Sequence, residues 1–257
     1  RRSKKGKDYK IYSRRHHSQR HEKVILDCNQ LSKGKNFLAI GLMSISPSQK
    51  LLAYTLDFTG FREYDLYITD MITGRTMKKL VQRIRSFAWA GDSQKFFYVT
   101  EDSTKRASTV WRSSIADYSN VEQIFQEKDK RFSVNVQLSR SREMIFITSS
   151  SATATEVRYL PANNPLGTPK LFKRRRKGVE YFLDHGHDYL YVLSNDSGRN
   201  FRLYRERCSA PGRQEELIPH RAKVMIDDVE VFDGHIILHE RAEGFPQISM
   251  FNLDKGT

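Results

Sequence analysis

Short apolar runs recur along the chain at a nearly constant interval: Leu51-Leu52-Ala53-Tyr54, Phe96-Phe97-Tyr98-Val99, Met144-Ile145-Phe146-Ile147, Leu190-Tyr191-Val192-Leu193 and Ile236-Ile237-Leu238. With Leu52, Phe97, Phe146, Tyr191 and Ile237 as markers, the steps are 45, 49, 45 and 46 residues. That pitch is the length of four short antiparallel strands with their turns, which is one propeller blade. A turn-forming cluster precedes each marker: Ser46-Pro47-Ser48, Gly91-Asp92-Ser93, Ser139-Arg140-Ser141, His185-Gly186-His187-Asp188 and Asp233-Gly234. Such residues supply the backbone angles of tight turns, so strands a and b of each repeat are joined there. After strand b comes a polar loop, then an alternating strand c such as Tyr64-Asp65-Leu66-Tyr67-Ile68-Thr69 or Glu156-Val157-Arg158-Tyr159-Leu160. A second turn, Thr73-Gly74-Arg75 or Pro211-Gly212-Arg213, leads to an outer strand d, as at Val121 to Phe125 and Glu215 to Ile218. No window keeps helical apolar spacing beyond one turn. The pattern predicts an all-β fold: four whole four-stranded blades flanked by two partial ones.

The first partial blade comprises strands c and d, Tyr9 to Arg15 and Lys23 to Leu26, and the last repeat stops after strand c. An incomplete propeller exposes unpaired strand edges. The expectation is therefore a segment of a larger protein whose missing strands lie outside this sequence, in keeping with the absence of an initiator Met.

The chain has 257 residues, 38% of them apolar, enough for a sizeable core. No apolar stretch approaches the roughly 20 residues of a membrane span, and no apolar segment follows Arg1-Arg2-Ser3-Lys4-Lys5 as a secretory signal would require. No membrane partner is expected. Net charge is +14, but it is local. Ten Lys and Arg lie among residues 1 to 23 against Asp8 and Glu22, and Lys173-Arg174-Arg175-Arg176-Lys177 is wholly basic. The remainder is nearly neutral, so these are solvated surface segments or sites for an anionic partner. Phe201-Arg202-Leu203-Tyr204-Arg205 interleaves aromatic with basic residues, which packing between blades explains; no nucleic-acid partner is predicted. Cys28 and Cys208 are far apart, forming neither a disulfide framework nor a metal knuckle, and suggest a reducing compartment, the cytoplasm.

Motifs for chemistry are missing. There is no Gly-x-Ser-x-Gly elbow and no phosphate-cradling glycine loop. His17 and His21 stand four apart beside His16, a metal-binding spacing only on a helix, which this polar segment does not predict. His185 and His187 fall in a turn, where exposure is expected. Asp227 and Asp228 are neighbours in a strand and should point to opposite faces. No metal, no cofactor and no catalytic residue are assigned.

The repeats carry more specific words. Leu52-Ala53-Tyr54-Thr55-Leu56-Asp57-Phe58-Thr59-Gly60-Phe61-Arg62-Glu63-Tyr64, Lys128-Asp129-Lys130-Arg131-Phe132, Glu156 to Leu160, Asn195 to Leu203 and Leu217-Ile218-Pro219-His220-Arg221 resemble, in order and over Tyr9 to about Phe251, the N-terminal propeller of the oligopeptidase B (protease II) branch of the prolyl oligopeptidase family. The resemblance implies a cytoplasmic serine oligopeptidase that cleaves short peptides after Arg or Lys. In it a seven-bladed propeller covers an α/β-hydrolase domain, which holds the Ser, Asp and His and is absent from this chain. It also implies that the chain alone is inactive, that its partners are that hydrolase domain and short peptide substrates, and that the propeller gates entry. The loops after strand b then face the hydrolase domain, and their charged members Arg62, Glu63, Glu101, Asp102, Arg106 and Arg199 are candidates for inter-domain gating contacts. Ser103 to Ser114 departs most from the family's wording. The alternative is a non-enzymatic propeller scaffold that binds a protein or an anionic polymer through its basic segments.

Overall fold

The computed structural model describes residues 1–256 apart from His16 and Gln19. Antiparallel meanders make up almost all of it. A two-stranded sheet pairs β1 (Ile11–Arg14) with β2 (Lys23–Asp27), and a single helical turn, α1 (Cys28–Leu31), follows. Its cap is local: the Asp27 carboxylate accepts the Asn29 N–H at 2.9 Å.

Four four-stranded sheets come next. Their strands are β3 (Ala39–Ile45), β4 (Leu51–Asp57), β5 (Asp65–Asp70) and β6 (Thr76–Val81); β7 (Ile84–Trp89), β8 (Lys95–Glu101), β9 (Ala107–Ser114) and β10 (Glu122–Gln126); β11 (Ser133–Leu138), β12 (Met144–Ser150), β13 (Thr155–Pro161) and β14 (Lys170–Lys173); and β15 (Tyr181–Gly186), β16 (Tyr189–Ser194), β17 (Arg202–Arg207) and β18 (Ala210–Ile218). A three-stranded sheet of β19 (Val224–Val231), β20 (His235–Ala242) and β21 (Phe245–Asn252) completes the described chain. In every sheet spatial order equals chain order. Four whole blades and two partial ones are therefore observed, and every marker residue lies in the second strand of its three- or four-stranded sheet.

The chain divides within β7 into two compact units, Arg1–Phe87 and Ala88 onward. In the first, Leu26 and Cys28 join Leu52, Tyr54, Leu56 and Tyr67 in one core. In the second, the cores lie between successive sheets. Phe97, Val99 and Val110 pack against Val134, Val136 and Ile147. Phe146 and Val157 meet Leu183, Val192 and Tyr204, and Tyr191 and Leu203 meet Ile226, Ile236 and Leu238. A sheet covered on both faces needs a strand apolar on both sides, as the four core residues of β8 are, whereas β20 alternates buried and partly exposed positions.

Two local expectations are corrected. His185 is buried at 2% exposure, its Nδ1 2.8 Å from the Ser141 hydroxyl, because the preceding β-hairpin turn folds over it. Burial holds its pKa below the ordinary imidazole value. His187, two residues on, is exposed and lies 2.5 Å from the Asp233 carboxylate. Asp227 and Asp228 do not face opposite ways. A bulge between Ile226 and Asp228 spoils the two-residue period, and both side chains line a cavity of about 610 Å³ beside Gln137 and Phe182 of β11 and β15.

Asp184 ties three sheets together. Its carboxylate accepts the backbone N–H of Arg140 at 3.1 Å from the β11–β12 turn and bonds the backbone of Val231 on β19. Burial outweighs these bonds and raises its pKa.

Candidate functional site

In a meander the loop after the second strand and the loop after the fourth leave a sheet at the same end, since every strand reverses direction. The six charged candidates belong to that end of their own sheets.

Asp57 closes β4 and folds the loop behind it. One carboxylate oxygen accepts the Thr59 N–H and hydroxyl, each at 2.7 Å, and the Gly60 N–H at 3.2 Å; the other accepts the Arg62 N–H at 2.8 Å. Burial opposes ionisation here, but the bonds from Thr59, Arg62 and Gly60 prevail and hold the carboxyl below its usual range. The wrapped loop puts Arg62 at φ 59° with its side chain exposed. Glu63 lies 3.7 Å from Arg83, a partly exposed pair that contributes little.

Asp102 repeats the device after β8, accepting the Thr104 hydroxyl at 2.6 Å, the Thr104 N–H at 2.9 Å and the Arg106 side chain at 3.0 Å. The Thr104 hydroxyl, then the loop N–H groups and the Arg106 charge, overcome a small desolvation penalty and bring its pKa down to about 2. Arg106 then reaches into the β10–β11 connection and donates to the carbonyls of Phe132 at 2.7 Å, Glu127 at 3.2 Å and Asp129 at 3.3 Å. The structure thus brings Asp102 and Arg106 together and binds them into the protein. Glu101, adjacent in β8, is half-buried, and Arg199 is exposed in the β16–β17 loop.

Sequence reading missed the charged knot beside Arg106. Glu127 and Glu156 are buried at 5% and 7% exposure. The Arg175 guanidinium reaches both, at 2.5 Å and 3.4 Å, and stacks over the Phe132 ring at 3.9 Å. Arg158 adds a 2.8 Å contact to Glu156. Three chain segments some 20 to 50 residues apart meet here, and no local pattern announces it.

Asp129 is likewise held at about 2, chiefly by the Arg131 side chain and backbone N–H. Since the unfolded carboxylate titrates near 3.9, Asp102 and Asp129 stabilise the fold above that pH, and the contribution drains away as pH falls from about 4 to 2. Thermal midpoints measured across that window should fall, and the double replacement Asp102→Asn with Asp129→Asn should flatten the slope; an unchanged slope would refute this assignment.

His16 lies outside the described residues, and among those described no group of three or more His, Cys, Asp or Glu could hold a metal ion. Both cysteines are free thiols, and burial pushes Cys28 up to about 11, too high for a reactive thiolate. No helix among the described residues is long and apolar enough to cross a membrane.

Successive four-stranded antiparallel meanders, with cores between the sheets, define a β-propeller domain. The family described as prolyl oligopeptidase, N-terminal beta-propeller domain, matches residues 1–257, and the chain belongs to it. Protease 2 of Moraxella lacunata is 28% identical over 254 residues, covering 95% of this chain and 37% of its own length. Dipeptidyl aminopeptidase BI of Pseudoxanthomonas mexicana is 28% identical over 91% of this chain and 33% of its length. Among solved structures, oligopeptidase B of Leishmania major superposes with a TM-score of 0.89 at 25% identity, over 98% of this chain and 37% of that one. Oligopeptidase B of Trypanosoma brucei, with covalently bound antipain in a closed form, gives 0.83 at 30%, over 97% and 36%. The chain thus spans about a third of the length of these relatives.

Proposed function

We propose that this chain is the propeller of an oligopeptidase B-like serine peptidase, inactive alone, covering an α/β-hydrolase domain and filtering short peptides that are cleaved after Arg or Lys. The observation that carries the reading is the fit to oligopeptidase B of Leishmania major over 98% of the chain. The closed form of the Trypanosoma brucei relative supports gating, because a closed arrangement that shuts the substrate in must open to exchange it. Free Cys28 and Cys208 are compatible with the cytoplasm.

The candidate charges then divide by role. Arg62, Glu63, Glu101 and Arg199 meet the hydrolase domain, while Asp102 and Arg106 hold the loop that presents Glu101. Charge reversal at exposed Arg62 and Arg199 in the complete enzyme should change kcat/KM for Arg- and Lys-containing peptides by roughly tenfold, the size of a coupling of about 1.4 kcal/mol, with an unaltered melting temperature. Unchanged kinetics would remove both residues from the gate. The function is tested with the complete protein on peptides offering Arg, Lys or Pro before the scissile bond: selective turnover at Arg and Lys is expected, and no hydrolysis of any would leave a scaffold.

A further inference from the structure

Two turns and one loop enclose a cavity of about 410 Å³ in the second unit, a size within the range of ligand pockets. The first turn, 151–154, joins β12 to β13 and is closed by the Ser151 N–H donating to Ala154 O at 2.9 Å, with the Ser151 hydroxyl accepting the Ala154 N–H at 3.1 Å. The second, 176–179, leads into β15 and is closed by Val179 N–H to Arg176 O at 3.1 Å. Gly178 supplies the φ of +79° that this turn needs. A bond from the Thr155 N–H to Val179 O, 3.1 Å, fixes one turn against the other. Phe132 lies at the base, buried beneath the Arg175 guanidinium, Thr153 brings a hydroxyl, and Arg131, Arg175, Arg176 and Lys177 also line the space.

The charge balance singles out two of these cations. Arg131 is paired with Asp129 at 2.7 Å, and Arg175 is committed to Glu127 and Glu156. Arg176 and Lys177 are exposed, and among the described residues neither forms an ion pair with an acid. No Asp or Glu lines the cavity. A hollow with two unneutralised cations and a hydroxyl beside them is complementary to a compact anion such as a carboxylate.

We propose that this pocket binds the free C-terminal carboxylate of a short peptide, Arg176 and Lys177 pairing with the carboxylate. It opens at the loop end proposed to face the hydrolase domain, and it rests on that reading only for the choice of a peptide as the carrier. In the complete enzyme it would favour substrates whose end lies within reach of the propeller, a length filter that needs no narrow entrance.

Calorimetric titration of the complete protein at low salt with acetyl-Ala-Leu, with the same dipeptide as its C-terminal amide, and with inorganic phosphate tests the proposal. The free acid should bind at least tenfold more tightly than the amide, and more weakly as salt is added. The combined Arg176→Gln and Lys177→Gln replacement should bring the acid down to the amide's affinity without moving the melting temperature, since both side chains are exposed. Equal binding of acid and amide, or no binding of either, overturns the pocket. Phosphate binding as tight as the peptide acid overturns the peptide terminus as occupant. Because the readout is binding, a protein that hydrolyses Arg and Lys peptides yet fails here loses the pocket and keeps its function.

Discussion

Replacing Arg175 by Met should destabilise the second unit by about 3 kcal/mol, at the lower end of the cost of breaking a buried ion pair. The substitution keeps an unbranched apolar side chain but removes the guanidinium that stacks over Phe132 and answers two carboxylates exposed by no more than 7%. Arg158 still serves Glu156, but among the described residues Glu127 keeps only the Asp129 N–H at 2.9 Å. A fall in melting temperature of roughly 6–12 °C is the readout for a unit of this size. Adding Glu127→Gln should recover part of the loss, because an amide costs less than an unpaired charge to bury; a double mutant no better than the single would show that Arg175 acts through packing alone.

The second large effect concerns the core between sheets. Phe97 is fully buried in β8 and packs within the cluster that includes Val136 and Ile147 of the next sheet. Phe97→Ala should cost about 3–5 kcal/mol, the transfer free energy of the ring plus the cavity it leaves. The denaturant midpoint should move while its slope stays constant, as for a loss of stability without a change of compactness. A cost below about 1 kcal/mol would mean that the two sheets collapse onto the gap. Phe182→Ala, at a residue 47% exposed, is the control and should cost far less.

The period of the fold was legible because every whole repeat needs one strand apolar on both faces, and such a run stands out against polar turns. Strand c was legible through its alternation. What escaped was decided by neighbours in space. Nothing local distinguishes His185 from His187; the difference lies in which of them the Ser139–Ser141 turn covers. The bulge at Asp227 is a register event, visible only once β19 is paired with β20. The loops after the second strands fall where the turn pattern puts them, yet composition could not separate an exposed Arg62 or Arg199 from an Arg106 spent on three backbone carbonyls. The Arg175 knot was hidden inside a basic run that reads as uniformly solvated, although two of its five cations, Lys173 and Arg175, neutralise buried acids.

The loops after the second strands of the four-stranded sheets share one construction. Asp57, Asp102, Ser151 and Ser194, each at or next to the end of its strand, accept N–H groups from the residues that follow. A loop's shape is therefore written in its own opening residue rather than borrowed from the next blade. Such loops are cassettes: exchanged between related propellers together with that residue, they carry their conformation with them. The loops can accordingly diversify one sheet at a time, while the sheets beneath keep their cores.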